Sequence, residues 1–302
     1  MQFITYLKDG QIQPARLHGN IGIDINQALL HDGFLEKKPI LSSLPDLFIN
    51  DEVYAQVRNS TEKIIARIKL EAGVLFDEGI IFNYPDAKIL APIPMPGKVI
   101  CIAGNFPAPN KMEKPDFPIV FLKPSSGING DREPVVIPGN ATSVAYEVEL
   151  ALVMAKTGRN LNPSNALSIV AGVTLANDIG DRVLEKRTSQ WTSGKMFDTF
   201  TPMGPVLFTL DELQGKKLAM ATRVNDVIVQ KGNVADMFFD LAALVSIVSE
   251  LTTLRPGDVI LTGSPKLLDG ESAPVVALQP GDTVEVSIEG LGKLTNHVIS
   301  EG

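Results

Sequence analysis

From Val144 to Met154 every residue is apolar or uncharged except Glu147 and Glu149. Read as a strand, this run sends Glu147 and Glu149 to one face and Tyr146, Val148, Leu150, Leu152 and Met154 to the other, because side chains alternate along extended backbone. Two carboxylates side by side on an otherwise apolar strand call for a cation. The same spacing also fits a strand with one solvated face, and the pattern alone leaves both readings open.

The rest of the composition narrows the class. A chain of 302 residues has room for one large domain or two ordinary ones. It carries 27 basic and 35 acidic residues for a formal charge of −8, with no basic stripe, which argues against nucleic acid or an anionic membrane surface as partner. Cys101 is the one cysteine, so neither an intrachain disulfide nor a multi-thiolate zinc site can be built. Met1–Gly10 reads as a strand entering an Asp-Gly turn, unlike a secretion signal, and the most apolar long stretch, near 238–254, is interrupted by Asp240 and Glu250. A cytoplasmic protein is the expectation.

Short strands separated by Gly and Asp turns are expected at Phe3–Leu7, Ile12–Leu17 and Ile21–Ile25. Val53, Val57, Ile64, Ile65 and Ile68 then recur at helical spacing, which predicts a helix over 51–72 stopped by Gly73. Ala91-Pro92-Ile93-Pro94-Met95-Pro96-Gly97 forbids helix and central strand alike, and places a boundary between a small amino-terminal α/β domain, 1–95, and a second domain, 96–302. In the second, strands are expected at Val99–Ala103, Ile119–Lys123, Ser143–Ala155, Ile169–Asn177, Val206–Leu210, Ala219–Asn225, Val259–Thr262 and Thr283–Ile288. Two helices interrupt them, a short one opened by Asn162-Pro163 and a longer one running from Asn233 to just before Arg255. The fold class is therefore α+β, mainly β.

In order along the chain, Lys98–Phe106, Phe121-Leu122-Lys123-Pro124, Tyr146-Glu147-Val148-Glu149-Leu150, Asn177-Asp178 with Arg182, Lys195–Pro205, Asn225 with Gln230, and Pro256–Pro265 form a series. Taken together it resembles the fumarylacetoacetate hydrolase family. The resemblance implies a mixed, mostly antiparallel β-roll or sandwich as catalytic domain, a homodimer, and a divalent metal held by Glu147, Glu149 and Asp178. It also implies positive charge from Lys195 and Lys123 beside a substrate enolate, with Arg182, Gln230 and Ser264 holding the substrate.

Elementary chemistry agrees with such a site. Three carboxylates at about 4 Å repel pairwise by ~4 kcal/mol at an effective dielectric near 20, which a bound cation relieves. All-oxygen ligation selects a hard ion, Mg²⁺ first, with Mn²⁺ or Ca²⁺ as alternatives; zinc is disfavoured, since His18, His31 and His297 lie far from the series. A small 2-oxo acid, chelating through carboxylate and keto oxygen, is the matching substrate. Plainer readings stand beside these roles: Arg182 can pair with Asp181 or Glu185, Asn225-Asp226 can be a hairpin turn, and Gly104, Gly204, Gly257 and Gly263 can serve backbone conformation. Cys101 reads as a core residue, and Trp191 either lines the pocket or packs beneath it.

The chain also departs from the family pattern. Where carbon–carbon hydrolases of the family carry a water-activating histidine and glutamate, this chain has Pro109, and Glu113 one residue beyond the expected acid. Glu185 stands where glutamine is usual, and Gly180-Asp181 replaces Ser-Ala. Hydrolysis of an acylpyruvate-like or fumarylacetoacetate-like bond is the activity the resemblance implies first. Decarboxylation or keto–enol tautomerisation or isomerisation of an oxaloacetate-like acid tolerates loss of the base better, since positioned acid–base catalysis is worth ~10²- to 10⁴-fold. A metal- and ligand-binding protein without turnover is the reading from another class.

Overall fold

The computed structural model describes residues 1–34, 41–48, 50–108, 113–266 and 277–302. Pro109, on which part of the functional expectation turns, lies outside the described residues. Two large sheets organise the described chain. The first has eleven strands in the order Ile81–Asn83, Ile21–Asp24, Gln11–His18, Gln2–Lys8, Leu207–Phe208, Val170–Asn177, Val148–Met154, Val259–Leu261, Val99–Ala103 and Ile119–Lys123, with Lys88–Leu90 also pairing on Gln2–Lys8. The second has five, in the order Val227–Asn233, Ala219–Val224, Thr283–Ile288, Gly292–Ser300 and Val135–Ile137. Most pairings are antiparallel, as expected for the strand-rich α+β class. Val259–Leu261 on Val99–Ala103, and Gly292–Ser300 on Val135–Ile137, are parallel.

The first sheet crosses the proline-rich stretch at 91–97 without interruption: Gln2 and Phe3 pair with Phe208 and Leu207. The central strand Val148–Met154 is buried along its whole length because both of its faces are covered. Val148, Leu150, Leu152 and Met154 pack with Val286, Ile288 and Leu294 of the second sheet and with Leu244, Val245 and Val248 of the helix Leu241–Leu251. Ala151 and Val153 point the other way, into a cluster with Leu44, Leu47, Val57, Ile25 and Leu29. Glu149 shares the face of Ala151 and Val153, so an acid is built into the floor of a core.

Two helices differ from the sequence expectation in instructive ways. The helix over Asp51–Asp77 continues past Gly73, with a non-helical break at Glu71 (φ −131°, ψ 21°), and the left-handed glycine that follows its end is Gly79. The second expected helix does not begin at Asn233. Asn233 caps a single 3₁₀ turn, Val234–Asp236, in a capping box with Asp236; extended Met237 ends that turn, and the α-helix starts only at Leu241 behind Asp240. Asp240 accepts the Ala243 N–H at 2.8 Å, so Asp240→Ala is expected to lower stability by about 1 kcal/mol, read as a shift in the urea midpoint at unchanged slope. Among the described residues no helix is long and apolar enough to cross a membrane.

Candidate active site

The antiparallel register of the two central strands sets the acids opposite one another. Val148 pairs with Asn177 and Glu149 with Ala176, so the next step brings Glu147 across from Asp178. There the ladder gives way. Tyr146 and Glu147 fall between the strands Val144–Ala145 and Val148–Met154, the Asp178 N–H donates to the Glu147 carbonyl at 2.9 Å, and the Asn177 side chain accepts the Glu147 N–H at 2.9 Å. Tyr146 accordingly packs in a separate cluster with Val144, Ile179 and Phe200, apart from Val148 and Leu150. The carboxylates of Glu147, Glu149 and Asp178 each offer an oxygen within 4.8 Å of the other two.

Glycine shapes the next wall. Gly263, at φ 91°, follows the strand Val259–Leu261 and donates its N–H to Glu149 at 2.7 Å. A Cβ there would stand 3.0 Å from the Ile102 carbonyl oxygen and 3.1 Å from the Asn105 Cβ, so both the left-handed backbone and the close approach require glycine. Asn105 is wholly buried and brackets this corner. Its amide donates to the carbonyls of Thr262 and Phe239 at 2.9 and 3.1 Å, and its oxygen accepts the Phe239 N–H at 2.8 Å. The bracket joins three segments distant in sequence, and no local pattern could have revealed it.

Two cations, Lys195 and Arg182, and a further acid, Glu185, interlock with the triad at the wall of a cavity. Lys195 ends the short helix Thr192–Lys195 and reaches Glu147 at 2.7 Å and both the carboxylate and the carbonyl of Asp178 at 3.0 Å. Arg182 pairs with Glu147 through one terminal nitrogen and with Glu185 through the other, the latter at 2.8 Å. Asp181 does not take Arg182. It accepts four backbone N–H groups, from Thr142, Ser143, Val183 and Leu184, and so caps the turn that carries Arg182. Burial by itself would raise the Glu147 pKa, but Lys195 and Arg182 overwhelm it and hold the group down to about 2. Glu149 goes the other way: burial, then the charges of Asp178 and Glu147, push it well above the usual carboxylate range despite the Gly263 N–H. Burial would lower Lys195, yet Asp178, Glu147 and Glu185 raise it, so its ammonium keeps its proton.

These groups line a cavity of about 730 Å³ that also includes Phe121, Trp191, Gln230, Ser264 and Lys266. Of the residues expected from sequence, Glu147, Glu149, Asp178, Lys195, Arg182, Gln230 and Ser264 all reach it. Gln230 is largely committed within the protein: its oxygen accepts from the Val148 N–H and the Thr222 hydroxyl, and its amide donates to the Pro265 carbonyl. Trp191 lines the cavity edge-on to Phe121, with ring centroids 6.0 Å apart.

Two expected residues stand elsewhere. Lys123 is fully buried behind the triad, where its three ammonium hydrogens are used by Asp178, the Ile179 carbonyl and the Phe200 carbonyl at 2.6, 2.8 and 2.7 Å. It has no donor left for a substrate, and its part in the site is to hold and neutralise Asp178. Glu113 is exposed and is not among the described residues that line the cavity. Cys101 is core, with a thiol raised by burial, and Asn225-Asp226 form a hairpin turn at φ 47° and 68°.

A family model described as Fumarylacetoacetate (FAA) hydrolase C-terminal matches residues 98–299. The chain belongs to the fumarylacetoacetate hydrolase family. Its enzymes are similar to it both in sequence and in fold. A human mitochondrial oxaloacetate tautomerase is 40% identical over 220 residues, which is 71% of this chain and 70% of that protein. The solved fumarylacetoacetate hydrolase of Exiguobacterium antarcticum superposes over the whole of both chains with a TM-score of 0.78 at 29% identity. The 5-carboxymethyl-2-hydroxymuconate delta-isomerase of Mycobacterium smegmatis does so with a TM-score of 0.75 at 26% identity. The structural matches span the whole chain, whereas the family model begins only at residue 98.

Proposed function

We propose that this protein is a divalent-metal-dependent tautomerase or isomerase of a small, enolisable 2-oxo acid. The observation that carries the reading is the combination of a carboxylate triad, Glu149 and Asp178 buried and Glu147 partly so, with the absence, among the described cavity-lining residues, of Glu113 or any histidine that could activate water. The printed activities of the human tautomerase and the mycobacterial isomerase support the same choice over hydrolysis.

The donor set fits a hard cation. Its oxygens are carboxylates without sulfur or imidazole, and Glu149, pushed up first by burial and then by the charges of Asp178 and Glu147, is a group whose ionised form a positive charge at the triad would favour. Glu147, Glu149 and Asp178 would hold Mg²⁺, or Mn²⁺ or Ca²⁺, and the ion would supply Lewis-acid withdrawal of charge from a 2-oxo oxygen. Lys195, kept protonated, contributes a fixed positive charge to the same wall, suited to a developing enolate oxygen. Phe121 and Trp191 cover one side of the cavity and limit water around a reacting carbon.

Following the enol absorbance of oxaloacetate with Mg²⁺, and separately with chelator, tests this reading. Ketonisation should accelerate only with metal and without pyruvate release. Pyruvate release from an acylpyruvate, at a rate matching or exceeding tautomerisation, would instead establish the hydrolase.

A further inference from the structure

Glu185 is a fourth acid on the cavity wall, and what it means for selectivity rests on the 2-oxo acid reading of that cavity. It ends the helix Arg182–Glu185 with its side chain only 8% exposed and lines the same cavity as the triad. One carboxylate oxygen takes an N–H of Arg182 at 2.8 Å. The other is buried without a hydrogen-bond partner, 3.8 Å from the Lys195 ammonium.

The surroundings are cut to admit this acid. A Cβ on Gly180 would stand 2.3 Å from the unpartnered oxygen and 2.7 Å from the Lys195 Cδ, and a Cβ on Gly194 would stand 2.7 Å from the Glu185 Cγ. The two departures noted in the sequence, Gly180 for serine and Glu185 for glutamine, are therefore one structural feature. Its consequence falls on Arg182. Both terminal nitrogens of the guanidinium are engaged by carboxylates of the protein, Glu147 and Glu185, so its charge is already shared between two internal partners and less of it is offered to a substrate carboxylate.

We propose that Glu185 is a specificity-determining residue: by detaining Arg182 and adding a negative charge to the wall, it sets the cavity for a 2-oxo acid whose far end is uncharged, and against dianions. A second carboxylate entering this end meets the Glu185 charge, with an Arg182 already paired to two internal carboxylates to offset it. A carboxamide or ketone of the same shape meets no such repulsion.

Oxaloacetate and its 4-amide, 2-oxosuccinamate, differ at that end alone. With Mg²⁺ present, wild type should favour the amide in kcat/KM, and Glu185→Gln should shift the ratio towards oxaloacetate by about tenfold or more, mainly through KM. The dissociation constants of malate and its 4-amide, which cannot enolise, should shift the same way by calorimetry. A ratio unchanged within about twofold in both measurements overturns the proposal. Absence of turnover with an intact shift in binding would instead overturn the tautomerase reading and leave Glu185's role standing. Should the variant not fold, wild type alone decides: tighter binding of malate than of its amide sinks the idea.

Discussion

Replacing Glu149 with glutamine is expected to remove divalent-cation binding and metal-dependent turnover, while leaving the cation-free protein at least as stable as wild type. The carboxylate sits in the floor of a core, 1% exposed, facing Glu147 and Asp178, and both burial and those charges disfavour its ionisation. An amide of the same shape still accepts the Gly263 N–H, so the local backbone keeps its partner while the repulsion goes. The cation loses one of three anionic ligands, and turnover should fall by about 10³-fold or more, the scale of losing a principal electrostatic stabiliser. The sign with pH follows from the same shift. An acid whose folded pKa is raised binds more protons in the native state, so cation-free wild type should lose stability as pH rises from the ordinary glutamate range through the raised value. Mg²⁺ should reverse this trend, giving a stabilisation that grows with pH, and Glu149→Gln should flatten it. Melting temperatures across pH, with Mg²⁺ and with chelator, measure all three; a variant that binds Mg²⁺ like wild type rejects the triad as the metal site.

Lys123→Met is expected to act on stability before chemistry. The ammonium is buried with all three hydrogens engaged, and its removal strips Asp178 of one of its two ammonium partners and takes a donor from the Ile179 and Phe200 carbonyls in the interior, although Asp178 keeps Lys195 and Phe200 keeps the Ile179 N–H. Breaking a buried pair from one side costs about 3–5 kcal/mol when the remaining charge is uncompensated; with Lys195 still beside Asp178 the loss should sit near the lower bound, about 3 kcal/mol, and lower the melting temperature by several degrees. Lys195→Met should act on chemistry first, since it removes the ammonium that lines the cavity while Glu147 keeps Arg182 and Asp178 keeps Lys123; activity should fall with a smaller loss of stability. Equal stability of Lys123→Met and wild type, with activity lost, would return Lys123 to the substrate side of the site.

The contrast between these two lysines shows where sequence reasoning reached its limit. Both belong to the same ordered series, and nothing in their neighbours separates them. What separates them is which side of Asp178 each approaches: Lys123 comes from the edge strand Ile119–Lys123 behind the triad, and Lys195 from a short helix over the cavity. The second long helix failed for a related reason. Val234, Met237, Phe238 and Leu241 keep helical spacing, but the Asn233 and Asp236 side chains satisfy backbone groups locally and end a 3₁₀ turn before the helix proper begins behind Asp240.

By itself the sequence determined the strand-rich class, a buried strand within Ser143–Ala155 and the paired acids Glu147 and Glu149, because alternation and apolar content depend on nearest neighbours along one chain; the break at Tyr146 and Glu147 was not legible in it. It also marked the departures at Glu113, Gly180 and Glu185. Only the tertiary structure decided that Asp178 stands across from Glu147, that Asn105 brackets the Gly263 corner, and that Glu113 is exposed and not among the described residues lining the cavity. It alone showed that Gly180 makes room for Glu185 and that Glu185 in turn engages Arg182. Each of these depends on strand register and on contacts between segments tens of residues apart, where a side chain's role is set by what approaches it and not by what precedes it.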